Sequence, residues 1–491
     1  MARRLLLTTL LVLGIAADIA FVLINLHPER PHFAEPQHVR ILIRSTPARA
    51  QWLKTYALSE FAADHDLQVD VQVVATWHEM LAALRAEKAN PGNLALVGLD
   101  DDYADDVQAE GLVRAVADVA QPDELKAMAE EYLPHALHQS QIKGRQWFVP
   151  KRSEIDVTVY LAPAVEDAFL NWERDRAAIQ SALAEANGVG LPEGYTLEKA
   201  PDAWDTYDLF VAAWYWAHHP APWSSSPAPA PRIAFRCGGG EDAVVDLLAT
   251  FRSFGMKTEE LGQTSSPGIL RALQWHALFR RHHLLTAACE TPAGLDEDAL
   301  NLMMRNRLLA WAPMDQEDSV WLHGGARRDA EPGMQQARDL AWAPQPFAAS
   351  LEQKAGQPAF TGSGFSFVDM QLWMIPVRAA QPRVSLALAR WLSSRDVQRR
   401  EAEAQGMLPI RKDLNDQAST VFRLDWLQDI LLASFQQLDQ ASGDLPGTVI
   451  TQHFDKLYSD LYAKVILERP LDAPVTAEAL REAIGKVPHG R

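Results

Sequence analysis

The chain contains little cysteine: Cys237 and Cys289 are the only two among 491 residues. In an oxidising compartment they could form a disulfide, but two unlinked buried thiols are equally compatible with the sequence. A catalytic thiol needs a base and an orienting partner, and the residues next to these cysteines supply neither. Cysteine-based catalysis is therefore not expected.

Positive charge is also scarce, because 46 lysines and arginines stand against 64 aspartates and glutamates, a formal net charge of −18. Such a surface argues against binding to nucleic acid. The sequence also lacks a Gly-Lys-Ser/Thr phosphate motif, a His-Glu-x-x-His zinc motif and a Gly-x-Ser-x-Gly nucleophile elbow. These absences argue against a nucleotide cradle, a metalloprotease and a serine hydrolase. We expect no catalytic residue, no cofactor and no metal.

One long apolar segment is present at the N-terminus, where 22 residues from Leu5 to Leu26 follow Arg3 and Arg4. Asp18 costs about 3 kcal/mol for insertion into a bilayer, while each leucine, isoleucine, valine or phenylalanine returns about 0.3–0.6 kcal/mol. Fourteen such residues more than offset that cost. Residues 1–27 therefore form either an uncleaved signal anchor or a signal peptide. The charge of Asp18 stands where a cleavage site needs a small residue, which favours the anchor. Either way, the remainder is expected outside the cytoplasm.

Strand-like and helix-like patterns alternate after this segment. Residues 37–44, 69–74 and 94–97 are predicted strands, and residues 47–64 and 77–86 are predicted helices. This alternation predicts βαβ units and a largely parallel sheet. Ligands of such sheets bind at the carboxyl ends of the strands, where this sequence has Thr46, Asp102 and Tyr103. At this length, two or more lobes are expected.

Several short segments follow one another in an order that can be compared with that of known protein families. They are Gly144–Pro150, Pro201-Asp202-Ala203-Trp204-Asp205, Gly362-Ser363-Gly364-Phe365-Ser366, Trp391-Leu392-Ser393-Ser394 and Gly406-Met407-Leu408-Pro409-Ile410-Arg411. Taken together, their order over residues 38–485 resembles the family 1 extracellular solute-binding proteins, the maltose-binding-protein-like receptors of ABC sugar importers. Two departures stand out. The stretch of residues 163–231 is longer than the shortest corresponding stretch in the family. Just before it, Tyr160-Leu161 stands where the family usually has Tyr-Asn.

The resemblance implies an α/β fold of the type II periplasmic-binding-protein class, with two lobes joined by hinge crossovers. Each lobe would be a largely parallel sheet flanked by helices. The implied segments are a first lobe at 38–155, a second lobe at 162–305 with an insertion at about 163–231, a return to the first lobe at 306–360, and a return to the second lobe with closing helices at 361–485.

The resemblance also places candidate ligand-binding residues around a cleft between the lobes. They are Thr46, Asp102, Tyr103, Arg152, Glu154, Gly239, Gly240, Glu241, Trp311, Asp315, Gly364, Phe365 and Ser366. Carboxylates and guanidinium groups bind hydroxyls, and aromatic faces stack on sugar rings. Each has an ordinary structural alternative: Asp102 as a helix cap, Arg152 with Glu154 as a surface ion pair, Trp311 as a core residue, and the glycine loops as plain turns.

The implied function is extracytoplasmic capture of a carbohydrate or related polar solute and its delivery to the permease subunits of an ABC importer, by a monomeric receptor. A membrane-anchored sensor or accessory protein with the same fold is a second hypothesis. An exported glycoside-active enzyme is a third, with Asp102 and Glu154 as the carboxylate pair that such chemistry requires.

Overall fold

The computed structural model describes residues 37–238, 241–291, 293–323, 337–441 and 447–487. Its strands are β1 (Gln37–Arg44), β2 (Leu67–Val74), β3 (Leu94–Asp100), β4 (Val113–Arg114), β5 (Gln141–Ile142), β6 (Arg145–Gln146), β7 (Val149–Leu161), β8 (Trp311–Asp315), β9 (Leu340–Ala343), β10 (Gln353–Lys354), β11 (Gln357–Pro358) and β12 (Val368–Pro376).

The helices of the first half are α1 (Pro47–Trp52), α2 (Leu58–His65), α3 (Trp77–Ala89), α4 (Ala104–Ala109), α5 (Pro122–Glu131), α6 (Pro134–Gln139), α7 (Ala162–Asn171), α8 (Arg176–Asn187), α9 (Thr206–His218) and α10 (Glu241–Ser253). Those of the second half are α11 (Pro267–Arg281), α12 (Glu297–Arg305), α13 (Gln316–Leu322), α14 (Pro382–Leu392), α15 (Arg395–Gln405), α16 (Lys412–Asn415), α17 (Ala418–Val421), α18 (Asp425–Ala441), α19 (Gly447–Tyr462) and α20 (Ala477–Gly485). Within the described residues, no helix is both long enough and apolar enough to span a bilayer. The predicted N-terminal segment 1–27 lies outside them.

The main sheet has the strand order β2-β1-β3-β12-β7-β8, with β4 beside β12 and β9 beside β7. The three N-terminal strands pair in parallel, as the βαβ pattern predicts. Strand β3 is buried along almost its whole length, because helices cover both faces of the sheet. From β12 onward the pairing is antiparallel, so the sheet is mixed rather than largely parallel.

Strand β7 connects the two lobes without interruption. Its first half, Val149 to Ile155, pairs with β12, which joins it to the N-terminal strands. Its second half, Asp156 to Leu161, pairs with β8 and β9. We call the sheet from β2 to the first half of β7 the first lobe, and β8, β9 and the second half of β7 with their helices the second lobe. The chain therefore passes from the first lobe to the second along β7, which we call the crossover strand.

The strand pairing differs from the predicted return segments. Strand β12 lies in the 361–485 segment that the sequence assigned to the second lobe, yet it sits between β3 and β7 of the first lobe. Strands β8 and β9 lie in the 306–360 segment assigned to the first lobe, yet they pair with the second half of β7. An apolar pattern marks a strand but does not identify its neighbour, which explains the difference. The remaining lobe boundaries stay a prediction.

Local signals in the sequence set several helix ends that position the site. Asp205 caps α9 by accepting from the backbone N–H groups of Tyr207 and Asp208, at 2.7 and 3.1 Å. Gly406 ends α15 in the left-handed region with φ +74°, a conformation that glycine adopts without strain. The question left open by the two cysteines is also answered, because Cys237 and Cys289 form a disulfide with a Cα–Cα distance of 5.5 Å.

Candidate functional site

A row of charged side chains lies where β7 passes from the first lobe to the second. Side chains alternate between the two faces of a strand, so Arg152, Glu154 and Asp156 share one face of β7. Asp369 of β12 is directly opposite Glu154 in the strand register. The row of charged side chains therefore extends from β7 onto the neighbouring strand β12.

The end of β3 adds further carboxyl groups to this row. Asp100 is paired in register with Gln371 of β12, and Asp101 accepts a hydrogen bond from the backbone N–H of Met370 at 3.4 Å. Burial, reinforced by the charges of Glu154 and Asp369, raises the pKa of Asp100 well above its usual range. Desolvation between the strands and the charges of Glu154, Asp102 and Asp156 raise the pKa of Asp369 to about 8. Asp369 is nevertheless exposed on its outer side, so it is accessible to a ligand.

We call Asp100, Asp101, Asp102, Glu154, Asp156 and Asp369 the cleft carboxyl group. Burial first, and then repulsion between neighbouring carboxylates, raises the pKa values of Asp100, Asp101 and Asp369, which favours their protonated forms. The site thus presents hydrogen-bond acceptors, together with carboxylic acid groups that can also donate.

Buried ion pairs support the first-lobe side of this row. Arg152 is 5% exposed and pairs with both Glu154 and Glu317. Beside them, Arg49 of α1 pairs with Glu401 of α15 at 2.8 Å, and both side chains are buried. Because buried charges need partners, these pairs hold the guanidinium of Arg152 in one position.

The Gly406–Arg411 turn packs directly against the same part of β7. The carbonyl oxygen of Leu408 accepts from the backbone N–H of Ser153 at 3.2 Å. Gln398 donates to the carbonyl oxygen of Lys151 at 2.7 Å and accepts from the backbone N–H of Ile410 at 3.1 Å. The turn at residues 406–411, one of the segments on which the family resemblance depends, therefore fixes the position of the crossover strand.

The second lobe contributes a bridging cation. Arg236 donates through Nε to Asp246 Oδ1 at 3.0 Å and also pairs with Asp156. Burial raises the pKa of Asp246, against the opposing effect of Arg236. The hydroxyl of Ser366 accepts from the backbone N–H of Asp156 at 3.2 Å. Arg236 therefore ties the crossover strand to helix α10.

The structure brings some of the predicted site residues together. Arg152 and Glu154 form one ion pair, and Asp102 lies near enough to Asp369 to influence its charge. Tyr103 packs on Trp77, with ring centroids 6.0 Å apart. These four predicted residues therefore lie at or beside the first-lobe wall.

Other predicted residues have structural roles. Thr46 caps α1 by accepting from the backbone N–H of Arg49 at 3.3 Å, and Asp315 caps α13 by accepting from that of Glu317 at 2.7 Å. Gly364 lies so close to the carbonyl of Gln345 that a Cβ atom would be 1.9 Å from it. Glu241 is the first residue of α10, and Gly239 and Gly240 lie outside the described residues.

Trp311, Phe365 and Ser366 are all buried and line a cavity in the second lobe that also reaches Asp156. Sequence reasoning missed Lys151, Asp156, Arg236, Asp246, Asp369 and Gln371. The period-two charge pattern of Arg152, Glu154 and Asp156 was the signal that could have found Asp156. The others become neighbours only through the fold.

No family model matches the sequence, and no curated protein matches it significantly. Solved structures do match. The maltose-bound MalE3 of T. maritima aligns with 92% of this chain and 98% of its own at 15% identity and a TM-score of 0.61. An ABC transporter solute-binding protein from Thermotoga lettingae, bound with α-D-tagatose, gives 16% identity, the same two coverages and a TM-score of 0.60. The substrate-binding protein Lmo0181 of Listeria monocytogenes, in complex with cycloalternan, gives 13% identity, again the same coverages and a TM-score of 0.57. This chain therefore has the two-lobed α/β fold of the periplasmic binding proteins.

Proposed function

We propose that the chain binds a polyhydroxylated solute, a carbohydrate or a related polar molecule, between its two lobes and releases it unchanged. The observation that carries this proposal is the position of the cleft carboxyl group. It straddles the point where β7 leaves β12 and joins β8. Asp102 and Asp369 belong to the first lobe, while Asp156 is linked through Arg236 to the second. A ligand held there would contact both lobes.

The chemistry of these groups fits hydroxyl-rich ligands. Ionised carboxylates accept hydrogen bonds only, whereas a protonated carboxyl can donate as well. A sugar hydroxyl both donates and accepts, so a mixed set of carboxylates and carboxylic acids matches it. Hydrogen bonds to charged groups contribute about 1.5–3 kcal/mol each, enough for a few of them to give useful affinity.

The similar structures support the same class of ligand. Their names describe a maltose-bound MalE3, a solute-binding protein bound with tagatose and a substrate-binding protein in complex with cycloalternan. By extension we propose an extracytoplasmic receptor that delivers its ligand to ABC permease subunits. It would act as a monomer, tethered or exported by residues 1–27. Ligand contact with both lobes would favour a closed arrangement by hinge bending.

A calorimetric and thermal-shift screen against monosaccharides, oligosaccharides, polyols and sugar acids tests the proposal, since a ligand of the native state raises the melting temperature. The best ligand is then titrated into Asp369→Asn and Asp102→Asn. Asp123→Asn is the matched control, because it makes the same change at an exposed position in the first turn of α5.

We expect the two cleft variants to bind at least tenfold more weakly, which corresponds to about 1.4 kcal/mol, and the control to bind normally. The recovered sugar should be chemically unchanged by chromatography. Normal affinity in both cleft variants, a panel without any binding compound, or conversion of the sugar would each contradict the proposal.

A further inference from the structure

The cavity inside the second lobe has a different character from the cleft. It lies between helices α10 and α11 and the short strands of that lobe, and its volume is about 150 Å³. At one side it reaches Asp156 of the cleft carboxyl group, and Asp246 also lines it. Most of its lining side chains are aliphatic or aromatic, and they include Leu209, Ile233, Phe235, Leu247, Phe279 and Trp311. Protein interiors are normally close-packed, so a void of this size is a feature that needs an explanation.

The walls of the cavity do not suit a sugar. A pyranose carries hydroxyl groups around its whole edge, and most of them would meet carbon atoms here and lose their hydrogen bonds to water. A similar volume lined by leucine, isoleucine and phenylalanine is known to stay dry and to accept one benzene ring. The size and polarity of this cavity therefore match a single apolar ring.

Two of the buried donors that lack a hydrogen-bond partner belong to residues that line this cavity. Trp311 is 5% exposed, and its indole N–H has no hydrogen-bond partner among the described residues. The side-chain amide nitrogen of Gln345, which also lines the cavity, has none either. The neighbouring Trp275, by contrast, donates its indole N–H to the carbonyl of Ala349 at 2.7 Å.

The Gln345 side chain is otherwise engaged, which fixes its position. Its oxygen accepts from the hydroxyl of Thr158 at 3.4 Å, and its backbone N–H donates to Gln437 at 2.6 Å. A buried donor without an acceptor is costly. A ligand oxygen inside the cavity would remove that cost.

From these observations we infer that the second lobe holds a binding site, next to the cleft, for one small ring compound that carries a single hydrogen-bond acceptor, such as an aryl ketone or aryl ether. The ring fills the apolar cavity, and the acceptor takes the N–H of Trp311 or Gln345. This site adjoins the proposed cleft site, because Asp156 lines both, but the ligand it takes is of a different class.

Two aromatic probes with the same carbon skeleton test the inference on the full chain: acetophenone, which has a carbonyl acceptor, and ethylbenzene, which has none. We expect saturable one-to-one binding of both by calorimetry or ligand-detected NMR. Acetophenone should bind about fivefold more tightly, the equivalent of about 1 kcal/mol for one net hydrogen bond. In the Trp311→Phe/Gln345→Met double variant, the two probes should bind equally.

A cavity-filling variant provides the second arm. Ala249→Leu places a larger side chain in the cavity from α10 at little cost in helix propensity. Ala243→Leu makes the same change on the same helix at a residue that does not line the cavity. We expect Ala249→Leu to weaken acetophenone binding at least tenfold and Ala243→Leu to leave it unchanged.

The cleft and cavity results can be separated. Asp369→Asn should still bind acetophenone, and Ala249→Leu should still bind any sugar found in the screen. The inference is overturned if the wild-type chain shows no saturable acetophenone binding, if Ala249→Leu binds it as well as Ala243→Leu, or if ethylbenzene binds as tightly as acetophenone.

Discussion

The ion pair between Arg49 and Glu401 offers a quantitative test of how the charged row is supported. Nη2 of Arg49 and Oε1 of Glu401 are 2.8 Å apart, and their side chains are only 8% and 5% exposed. Burial, followed by the positive charge of Arg152, lowers the pKa of Arg49. The guanidinium therefore depends on Glu401 for compensation of its charge.

Glu401→Leu removes that compensation and leaves the Arg49 guanidinium buried within the electrostatic influence of Arg152. Removing one partner of a buried pair costs about 3–5 kcal/mol, and the repulsion from Arg152 places this variant at the upper end. Arg49→Met should cost less, about 2–3 kcal/mol, because Arg152 still lies near the carboxylate. The Arg49→Met/Glu401→Leu double variant replaces the pair with apolar groups of similar size and should recover most of the loss.

Urea-induced unfolding of the four proteins, followed by tryptophan fluorescence at pH 7, measures these free energies. The interaction energy from the double-mutant cycle should exceed about 2 kcal/mol. A Glu401→Leu cost below about 1 kcal/mol, or additive effects of the two changes, would refute the reasoning.

Three further predictions concern stability. Gly406→Ala should destabilise the protein more than Gly188→Ala. Both glycines end helices with φ near +75°, but only at position 406 would the added Cβ meet a packed side chain, at 2.7 Å. The left-handed conformation alone costs about 1–2 kcal/mol, and overpacking adds about 1–3 kcal/mol at position 406. The pKa of Asp369 is about 8 in the folded protein and about 3.9 in an unfolded chain. The folded protein therefore holds this proton more tightly, and the free energy of unfolding falls as the pH rises from about 4 to about 8. Asp369→Asn should therefore gain melting temperature relative to the wild type between pH 5 and 8.5. The replacement of Cys237 and Cys289 by alanine opens a disulfide that spans 52 residues and should cost about 4 kcal/mol.

Each of these predictions has a direct check. Equal costs of the two glycine substitutions in urea unfolding would contradict the packing argument. A constant difference in melting temperature across the pH range would contradict the raised pKa of Asp369, whose slope cannot exceed about 1.4 kcal/mol per pH unit for one proton. Unchanged unfolding of the wild type under reducing conditions would contradict the role assigned to the disulfide.

Much of the fold could be predicted because its signals are local. The N-terminal βαβ alternation depends on short runs of consecutive residues, and the structure confirms it. The Asp205 cap and the Gly406 turn are equally local features. The position of β12 in the first lobe could not be predicted, because it depends on which distant strands it meets. The two-lobed fold was predicted from the order of many weak segments.

The candidate site was predicted only in part, for the same reason. Arg152 and Glu154 lie two residues apart on one strand, so the sequence itself shows their common face. Their partners Asp369 and Glu317 are more than 150 residues away in sequence. Trp311 and Phe365 were candidate ligand-binding residues, with a core position as the alternative for Trp311. Their burial around a largely apolar cavity depends on how helices α10 and α11 cover the sheet.

The most direct test of the two-lobe binding account is small-angle X-ray scattering of the chain with and without the tightest-binding sugar. We predict that the radius of gyration falls on saturation, because a ligand that contacts both lobes stabilises their closed arrangement. Asp369→Asn at the same sugar concentration should keep the larger value. A saturating sugar that leaves the radius of gyration of the wild type unchanged, or a decrease that persists fully in Asp369→Asn, would contradict the account.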